Sequence, residues 1–217
     1  MIIYGASGHG KVIEDIVLQG GGSVSCFVDD NAALTELHGI PVRHAIPAGS
    51  NEPLLIAIGS NATRKRVAAK LDGARFATAV HPAAILSPRA TIGEGTVVMA
   101  AAILQTDVTV GQHCIINTGA SVDHECRLAD YVHLSPHATL CGNVTVGEGT
   151  WVGAAATVIQ GIHIGRWCVI GAGSVITRDI PDYTLVAGSR QYVLKKDYYK
   201  QKITDMLKNV TGGVTPS

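Results

Sequence analysis

The sequence predicts a chain in two parts, a small Rossmann-like α/β domain followed by a parallel β-helix made of six-residue repeats. Three observations support this prediction. Large aliphatic residues recur at every sixth position in the second part, small residues stand two positions before them, and strand and helix patterns alternate in the first 80 residues. A length of 217 residues is enough for two small domains.

The six-residue period is the strongest signal in the sequence. Every sixth residue from Leu86 to Ile176 is Leu, Ile or Val, which makes sixteen positions without an insertion. Neither the helical period of about 3.6 nor the strand period of about 2 produces this spacing. A chain that turns a corner every six residues does, and three such sides close a coil that stacks on the next as parallel strands about 4.8 Å apart. We therefore predict about five coils in residues 81–190, with the aliphatic residues stacked inside.

Residues 1–80 lack this period and predict a different fold. Apolar strand patterns occur in MIIY, VSCFV and LLIAI, and helical patterns in KVIEDIVLQ and RKRVAAKL. This alternation predicts a βαβαβ unit, a small parallel sheet with crossover helices. The two prolines of HPAAILSPRA predict the junction with the solenoid. Residues 191–217 predict an amphipathic helical extension and a disordered tail.

Composition excludes several classes of protein. With 17 basic and 17 acidic residues, charge gives no reason to expect a nucleic acid or an anionic membrane as a partner. No signal peptide or membrane-spanning stretch is evident. The five cysteines are odd in number and lack CxxC spacing, so we predict reduced thiols in a cytoplasmic protein and no metal site. Cys114, Cys126 and Cys168 fall on the small inward positions, where core packing is the expected role.

The glycine turn after the first strand, Gly5-Ala6-Ser7-Gly8-His9-Gly10, indicates a nucleotide site. Its GxxGxG spacing is a weak dinucleotide fingerprint, but glycines permit close backbone approach and a helix N-terminus offers N–H groups to phosphate. Asp29 and Asp30 follow at the end of the second strand, where carboxylates can accept ribose hydroxyls. Because only half of a double Rossmann fold is present, we expect a nucleotide-sugar rather than NAD. For His9 a helix-start role is the alternative.

His124, in VDHEC, is the candidate catalytic base. It lies two residues after the inward Val122, at a corner where its side chain can point outward, and Gly142 stands one coil above it with an N–H that we expect to be accessible as an oxyanion donor. His133 lies half a coil away on a flat side, so the two histidines cannot meet in one chain. One site containing both needs two subunits. His113 and His137 share another corner phase and are expected at the surface.

The combination of motifs resembles the hexapeptide-repeat sugar acyltransferases of the sialic acid O-acetyltransferase type. This resemblance extends over residues 1 to about 194. It rests on YGASGHG, the Asp29-Asp30 pair, IGSN, HP before the repeat, VDHEC and H-x-S-P-x-A. The pattern is most similar to the branch that N-acetylates UDP-4-amino-sugars in the bacillosamine pathway of glycan biosynthesis and protein glycosylation. The resemblance implies a left-handed helix, a homotrimer, acetyl-CoA between solenoids and a nucleotide-sugar on the N-terminal domain.

The resemblance also implies roles for individual residues. His124 is the general base, Glu125 rather than Asp123 orients it, and Asn117 contacts the sugar beside it. The implied acetyl-CoA contacts are His133, Gly142, Gly153, Gly161, Gly171 and Gly173. The implied nucleotide-sugar contacts are Gly8, His9, Gly10, Asp29, Asp30, Gly59 and Asn117. Where the family often has GxPA, this chain has Gly188-Ser189-Arg190-Gln191, which leaves the adenine contacts of CoA undefined.

Other functions are compatible with parts of the pattern. A related enzyme would O-acetylate a sialic-acid-like sugar or N-acetylate another nucleotide-linked amino-sugar. Hexapeptide solenoids also resemble the gamma-type carbonic anhydrases, in which His133 and His137 would be zinc ligands, although those hydratases lack a nucleotide-type domain. A sugar-nucleotide binding protein without catalysis is the third possibility.

Overall fold

The computed structural model describes residues 1–71, 73–189, 192–198, 200–201 and 203–205. It shows a small α/β domain followed by a three-walled parallel β-solenoid, as the sequence predicts. Within the described residues no helix has both the length and the apolar character needed to cross a membrane. Predictions for Arg190, Gln191 and the tail 206–217 lie outside the described residues.

The N-terminal domain contains a five-stranded sheet with strand order β3-β4-β2-β1-β5. Its elements are β1 (Ile2–Tyr4), α1 (Gly8–Gln19), β2 (Cys26–Val28), β3 (Glu36–Leu37), β4 (Ile40–Arg43), β5 (Leu54–Ile56) and α2 (Asn61–Lys70). The three predicted strands pair in parallel in the order β2-β1-β5. The β3–β4 hairpin is not among the predicted elements, and its two-residue loop His38-Gly39 has φ values of 51° and 78°. Positive φ at both loop residues matches the twist of a tight hairpin.

The solenoid has three walls, each one parallel sheet. Wall I contains β7 (Ile85–Leu86), β10 (Ile103–Leu104), β13 (Ser121–Val122), β16 (Thr139–Leu140), β19 (Thr157–Val158) and β22 (Val175–Ile176). Wall II contains β8 (Thr91–Ile92), β11 (Thr109–Val110), β14 (Arg127–Leu128), β17 (Thr145–Val146) and β20 (His163–Ile164). Wall III contains β6 (Ala79–Val80), β9 (Val97–Val98), β12 (Ile115–Ile116), β15 (His133–Leu134), β18 (Trp151–Val152), β21 (Val169–Ile170) and β23 (Leu185–Ala187).

The solenoid core confirms the six-residue period. The predicted inward aliphatic residues from Val98 to Ile176 are all buried, and only Leu86 and Ile92 at the open first coil are partly exposed. Small side chains fill the space beside them, and some bridge coils: the Thr150 hydroxyl donates to the Gly165 carbonyl at 2.7 Å. The predicted inward cysteines Cys114, Cys126 and Cys168 are buried free thiols. Burial raises the pKa of the Cys114 thiol to about 12, so it is an inert core group.

The corners of the solenoid depend on backbone conformation more than on glycine. A residue with φ between 52° and 72° recurs every six positions. These residues are Gly95, Ala101, Asp107, His113, Gly119, Glu125, Tyr131, His137, Asn143, Gly149, Ala155, Gly161, Trp167 and Gly173. Most of them are not glycine, although the left-handed region is unfavourable for other residues. Stacking between coils therefore stabilises this conformation, and the corner positions accept many side chains.

The N-terminal domain sits on wall III. One buried cluster joins the two parts and contains Ile3, Ile13 and Phe27 of the domain with Val97 and Ile115 of the wall. Strand β6, at residues 79–80, already pairs with β9, so the solenoid begins two residues before the predicted boundary at residue 81. The domain therefore covers one wall of the prism and leaves walls I and II uncovered in a single chain.

The C-terminal extension differs in part from the prediction. β24 (Tyr192–Lys195) is a strand antiparallel to β23, where the sequence analysis predicts a helix. The preceding Gly188, at φ 88°, allows the reversal, and the β-prone residues of YVL favour the strand. Residues 200, 201 and 203–205 are helical, and Ile203 packs against Ala62 and Trp167.

Candidate active site

His124 lies in the turn between β13 and β14, at the corner of walls I and II. Its side chain points outward and is 53% exposed, because it falls outside the inward positions of the repeat. The imidazole Nδ1 lies 3.2 Å from the Glu125 carboxylate, and the Asp123 carboxylate accepts the His124 backbone N–H at 2.8 Å. The two neighbouring carboxylates thus have separate functions: Glu125 contacts the ring and Asp123 braces the turn.

Gly142 lies one coil above His124, as the 18-residue spacing predicts. A Cβ atom on Gly142 would stand 2.5 Å from Cε1 and Nε2 of the His124 ring, so only glycine leaves room for the imidazole in this position. Gly142 is itself buried in the single chain. The imidazole packs against this glycine, and the role of the Gly142 N–H as an oxyanion donor stays a prediction.

A second group lies on wall III and at its corner with wall I. His133 Nε2 accepts a hydrogen bond from the Asn117 amide at 3.2 Å, and its ring stacks on Trp151 with the centroids 6.1 Å apart. The Trp151 indole N–H donates to the Ser135 hydroxyl at 2.6 Å. Asn117 thus lies beside His133 of its own chain, because residue 117 follows a wall III strand, and its contact with the sugar stays a prediction.

His133 is held neutral. Burial lowers its pKa to about 3, and the positive charge of Arg64 and the nearby His9 act in the same direction. A histidine with this pKa cannot accept a proton at neutral pH. His133 is therefore suited to hydrogen bonding and orientation rather than to proton transfer.

His124 and His133 do not meet within one chain. His124 occupies the corner of walls I and II, which is the corner opposite wall III, and His133 lies on wall III itself. The predicted acetyl-CoA glycines are divided in the same way. Gly142 and Gly161 lie at the corner of walls I and II, whereas Gly153, Gly171 and Gly173 lie at the corner of walls III and I. The two sets of glycines thus line two different corners of the chain.

The glycine turn at residues 5–10 is close-packed. A Cβ on Gly10 would overlap the Gly5 carbonyl oxygen, and Gly5 has φ 115°, so both positions require glycine. Gly8 begins α1 with open space in front of it. The Asp29 carboxylate accepts the Ala6 N–H at 2.8 Å and so ties this turn to the end of β2.

A cavity of about 210 Å³ lies above these strand ends. Asp29, Asp30 and Gly59 line it together with Tyr4, whose hydroxyl donates to Asp30 at 3.1 Å. The predicted nucleotide residues Asp29, Asp30 and Gly59 thus face one cavity at the carboxyl ends of parallel strands, where ligands of α/β sheets bind.

His9, in the first turn of α1, has a buried Nε2 atom without a hydrogen-bond partner in the described part of the chain. Burial lowers its pKa to about 4, and the Arg64 charge contributes in the same direction. A buried polar atom without a partner is unusual and favours a ligand or water at this point.

A larger cavity of about 610 Å³ lies between α2 and wall III. Its polar end is formed by residues 59–63 at the start of α2 and by His133, and its apolar side by Trp151, Trp167 and Ile203. Gly59 lines both cavities. Gly59, which lies just after β5, is therefore shared by the walls of the two cavities.

His113 contradicts the expectation of a surface residue. It is only 3% exposed, stacks on Tyr131 at 5.3 Å and meets Phe76 edge-on at 4.5 Å. His137, in the same six-residue phase, is exposed as expected. The difference arises because His113 lies at the corner of walls II and III, where α2 docks, and His137 lies at another corner.

Two residues of this region, Arg64 and Trp151, are not among the predicted site residues. Arg64, from RKRVAAKL, is 1% exposed and bonds both domains, and Trp151 forms part of the larger cavity. The available signals were an outward aromatic residue on the solenoid and an arginine one turn into α2. Among the described residues no group of three or more His, Cys, Asp or Glu side chains is placed to hold a metal ion.

Comparison with known proteins supports the two-part organisation. Residues 1–71 match the PglD N-terminal domain family, and residues 143–178 match the bacterial transferase hexapeptide (six repeats) family. UDP-N-acetylbacillosamine N-acetyltransferase of Bacillus subtilis (strain 168) is 44% identical over 115 residues, 45% of this chain. The match spans 50% of the length of that relative.

Solved structures match over a longer region. The acetyltransferase domain of PglB from Neisseria gonorrhoeae in complex with acetyl coenzyme A is 36% identical, with a TM-score of 0.85 over 89% of this chain and 98% of that one. A mutant of perosamine N-acetyltransferase from Caulobacter crescentus, in complex with CoA and GDP-perosamine, is 37% identical, with a TM-score of 0.84 over 89% and 96%. Since these relatives match over nearly their whole length, the chain belongs to the family of hexapeptide-repeat sugar N-acetyltransferases with a PglD-type N-terminal domain.

Proposed function

We propose that this chain is an acetyl-CoA-dependent N-acetyltransferase that acts on the 4-amino group of a UDP-linked amino-sugar of the UDP-N-acetylbacillosamine type. The observation that carries the proposal is the exposed His124–Glu125 pair at a solenoid corner, under a glycine that leaves room for the imidazole. Family membership supplies the reaction type, and the cavity beside Asp29 and Asp30 is a suitable site for a nucleoside.

In the proposed mechanism His124 acts as the general base. Glu125 accepts the Nδ1–H, so that the lone pair of Nε2 is free to take a proton from the sugar ammonium. The neutral amine attacks the thioester carbonyl, the C–N bond forms and the C–S bond breaks. His124 passes this first proton to solvent and then takes the second proton, which the nitrogen loses as the amide forms. The CoA thiolate leaves and takes up this second proton from His124. Glu125 stabilises the imidazolium between these two steps.

Acetyl-CoA supplies the thioester in this reaction. Ala172 and Gly173 are exposed at the corner of walls III and I, and Gly173 has open space around it, whereas a Cβ on the half-buried Gly171 would stand 2.9 Å from the Cβ of Ala187. Gly153 is packed against the coil above and contributes only backbone. These residues provide a wall without bulky side chains, along which an extended pantetheine chain can lie. His133 and Asn117 lie at the foot of this corner and would orient the acetyl group and the sugar.

We further propose that the active form is a homotrimer packed around wall I. The outward side chains of wall I are uncharged along its whole length: Ile85, Ile103, Ser121, Thr139, Thr157 and Val175. Wall II carries Arg127 and His163 at the equivalent positions. Packing wall I around a threefold axis would place the His124 corner of one subunit beside the Asn117–His133 corner of the next, which completes the site.

The trimer is testable by one substitution on each wall. Thr139→Arg places a charge on wall I and is expected to give a monomer by light scattering, with activity lost because the site is incomplete. Thr145→Arg, the matched change on wall II, is expected to remain trimeric and active. A fully active Thr139→Arg monomer would contradict the shared site.

The acceptor is testable by measuring thiol release from acetyl-CoA with a panel of UDP-, dTDP- and GDP-linked 4-amino-sugars and free sialic acids. We expect turnover with a UDP-linked 4-amino-sugar. Turnover with hydroxyl acceptors alone would establish the O-acetyltransferase alternative, and no transfer to any acceptor would favour a binding protein. Stoichiometric zinc in purified protein would favour the hydratase. The free thiols and a nucleotide-activated substrate are compatible with the cytoplasm as the proposed location.

A further inference from the structure

Arg64 is a buried cation at the junction of the two domains. It lies on α2 and is 1% exposed. Its Nε donates to the His113 carbonyl at 2.7 Å, and Nη2 donates to the Tyr131 carbonyl at 3.0 Å, both on the solenoid. On its own domain, Nη1 donates to the carbonyl of Ile58 at 2.8 Å, and further bonds reach Gly59 and Asn61. Arg64 thus holds the end of β5 against the solenoid corner.

The charge of Arg64 has no counter-ion in the described part of the chain. Its five acceptors are backbone carbonyls and one side-chain amide oxygen, all of them neutral. Burial lowers its pKa to about 10, which still leaves the guanidinium protonated at neutral pH. A buried charge without a partner of opposite sign is costly to desolvate, and hydrogen bonds to neutral groups offset this cost only in part. An interdomain clamp made only for stability would be better built from neutral groups, so the retained charge suggests a functional use.

The charge lies next to Gly59, the residue that the two cavities share. Gly59, whose carbonyl Arg64 contacts at 3.3 Å, is the residue that lines both the smaller cavity beside Asp29 and the larger one beside His133. The two histidines nearest to this point, His9 and His133, are held neutral. A ligand that spans both cavities therefore passes a region in which Arg64 provides the positive charge.

We propose that Arg64 is a positioning residue for the diphosphate of the nucleotide-sugar, acting as its buried counter-charge from behind Gly59 while it fixes the Gly59 turn. This inference rests on the proposed function, in which the nucleoside occupies the smaller cavity and the sugar reaches His133. The diphosphate that links them must then pass Gly59. Arg64 does not touch the ligand. It acts through the field at this point and through the backbone that it holds.

The test compares ligands with and without the diphosphate. The affinities of UDP and uridine, and of GDP and guanosine, are measured by calorimetry for the wild-type protein, Arg64→Met, Arg64→Lys and the control Lys70→Met. Lys70 lies on the same helix, is exposed, and its change removes the same charge. Methionine retains the length of the side chain without charge, and lysine retains the charge without the planar fork.

For each pair of ligands we compare the affinity for the nucleoside diphosphate with the affinity for the nucleoside. We expect Arg64→Met to lower the ratio of these two affinities at least tenfold. Arg64→Lys is expected to keep this ratio within about threefold of wild type, although both variants unfold at lower temperature because the clamp is weakened. Lys70→Met should leave the ratio unchanged. A wild-type ratio in folded Arg64→Met would overturn the inference and leave Arg64 a purely structural residue.

Two further outcomes of the experiment are also informative. If Arg64→Met does not fold, the wild-type ratio is measured from low to high salt. A buried counter-charge is screened weakly, so a nearly constant ratio supports the inference and a steep fall overturns it. If neither UDP nor GDP binds the wild-type protein, the proposed nucleotide-sugar function itself fails. Binding with a ratio that is insensitive to Arg64→Met defeats only the inference.

Discussion

Two corners of the same solenoid, the one with His124 and the one with His113, are built alike but have opposite environments. Glu125 and His113 occupy the same backbone position in their turns, with φ values of 60° and 52°. The first corner is open, and its imidazole is 53% exposed. The second is covered by α2, and its imidazole is 3% exposed. The repeat therefore fixes the backbone of a corner, whereas the docked domain decides whether its side chain meets water or protein.

His124→Ala tests the open corner. We expect turnover to fall by at least about 10²-fold, because the base that accepts the ammonium proton is lost. Thermal stability should change little, since the side chain is exposed and outside the core. Steady-state turnover and thermal unfolding of the same preparation are the measurements. Near-normal turnover would remove His124 from the mechanism and would make the two corners functionally equivalent.

His113→Phe tests the covered corner. Burial lowers the pKa of His113 to about 4, so between pH 7 and pH 5 the unfolded chain binds a proton at this residue that the folded chain does not. Protonation of His113 in the unfolded chain therefore lowers the free energy of unfolding by about 2 kcal/mol as pH falls through this range. Phenylalanine keeps the ring contacts without the proton. Urea unfolding at both pH values should show that the variant loses less stability than wild type, since His9 and His133 titrate in both proteins.

An equal loss of stability in the two proteins would contradict the buried assignment of His113. The same experiment with His137→Phe serves as the control. His137 is exposed, so its replacement is expected to leave the pH dependence as it is in the wild type.

Gly142→Ala tests the space that the open corner keeps for its imidazole. The added Cβ would stand 2.5 Å from the His124 ring, which must move away. We expect turnover to fall about tenfold because the base is misplaced, with little change in unfolding temperature because an exposed ring can shift. Cys141→Ala, in the same turn, puts nothing in front of the ring and should stay close to wild type. Unchanged turnover in Gly142→Ala would show that the ring position is not critical.

Glu125→Gln tests the contact that orients the base. We expect about a fivefold fall in turnover and a lower kinetic pKa of the base, since an amide stabilises the imidazolium less than a carboxylate. Asp107→Asn is a matched control, because Asp107 occupies the same backbone position one coil below. Profiles of kcat/KM against pH are the measurement. If the pH profile does not shift, Glu125 is an ordinary surface residue that does not act on the base.

Much of the solenoid was predictable because a single residue count determines it. The inward positions from Val98 to Ile176, the buried cysteines and the position of Gly142 above His124 all follow from six-residue and 18-residue spacing. The β3–β4 hairpin was not predicted, since its signal is only the two-residue loop His38-Gly39.

The environment of the corners was not predictable in the same way. The pairing of Asn117 with His133, the burial of His113 and the bonds of Arg64 depend on which wall a residue leaves and on where α2 docks. The six-residue count records inside and outside but not the identity of the wall. An 18-residue count together with the domain interface is needed, and the interface has no local sequence pattern.

The left-handed corner residue also has a consequence for how such proteins diversify. Because stacking between coils imposes this conformation, the side chain at each corner is under little pressure from the turn itself, and His, Glu, Tyr and Trp all occur there. Each coil thus offers three substitutable positions on a scaffold that stays constant. Corner residues can therefore be exchanged one at a time, while the interior of the prism stays unaltered.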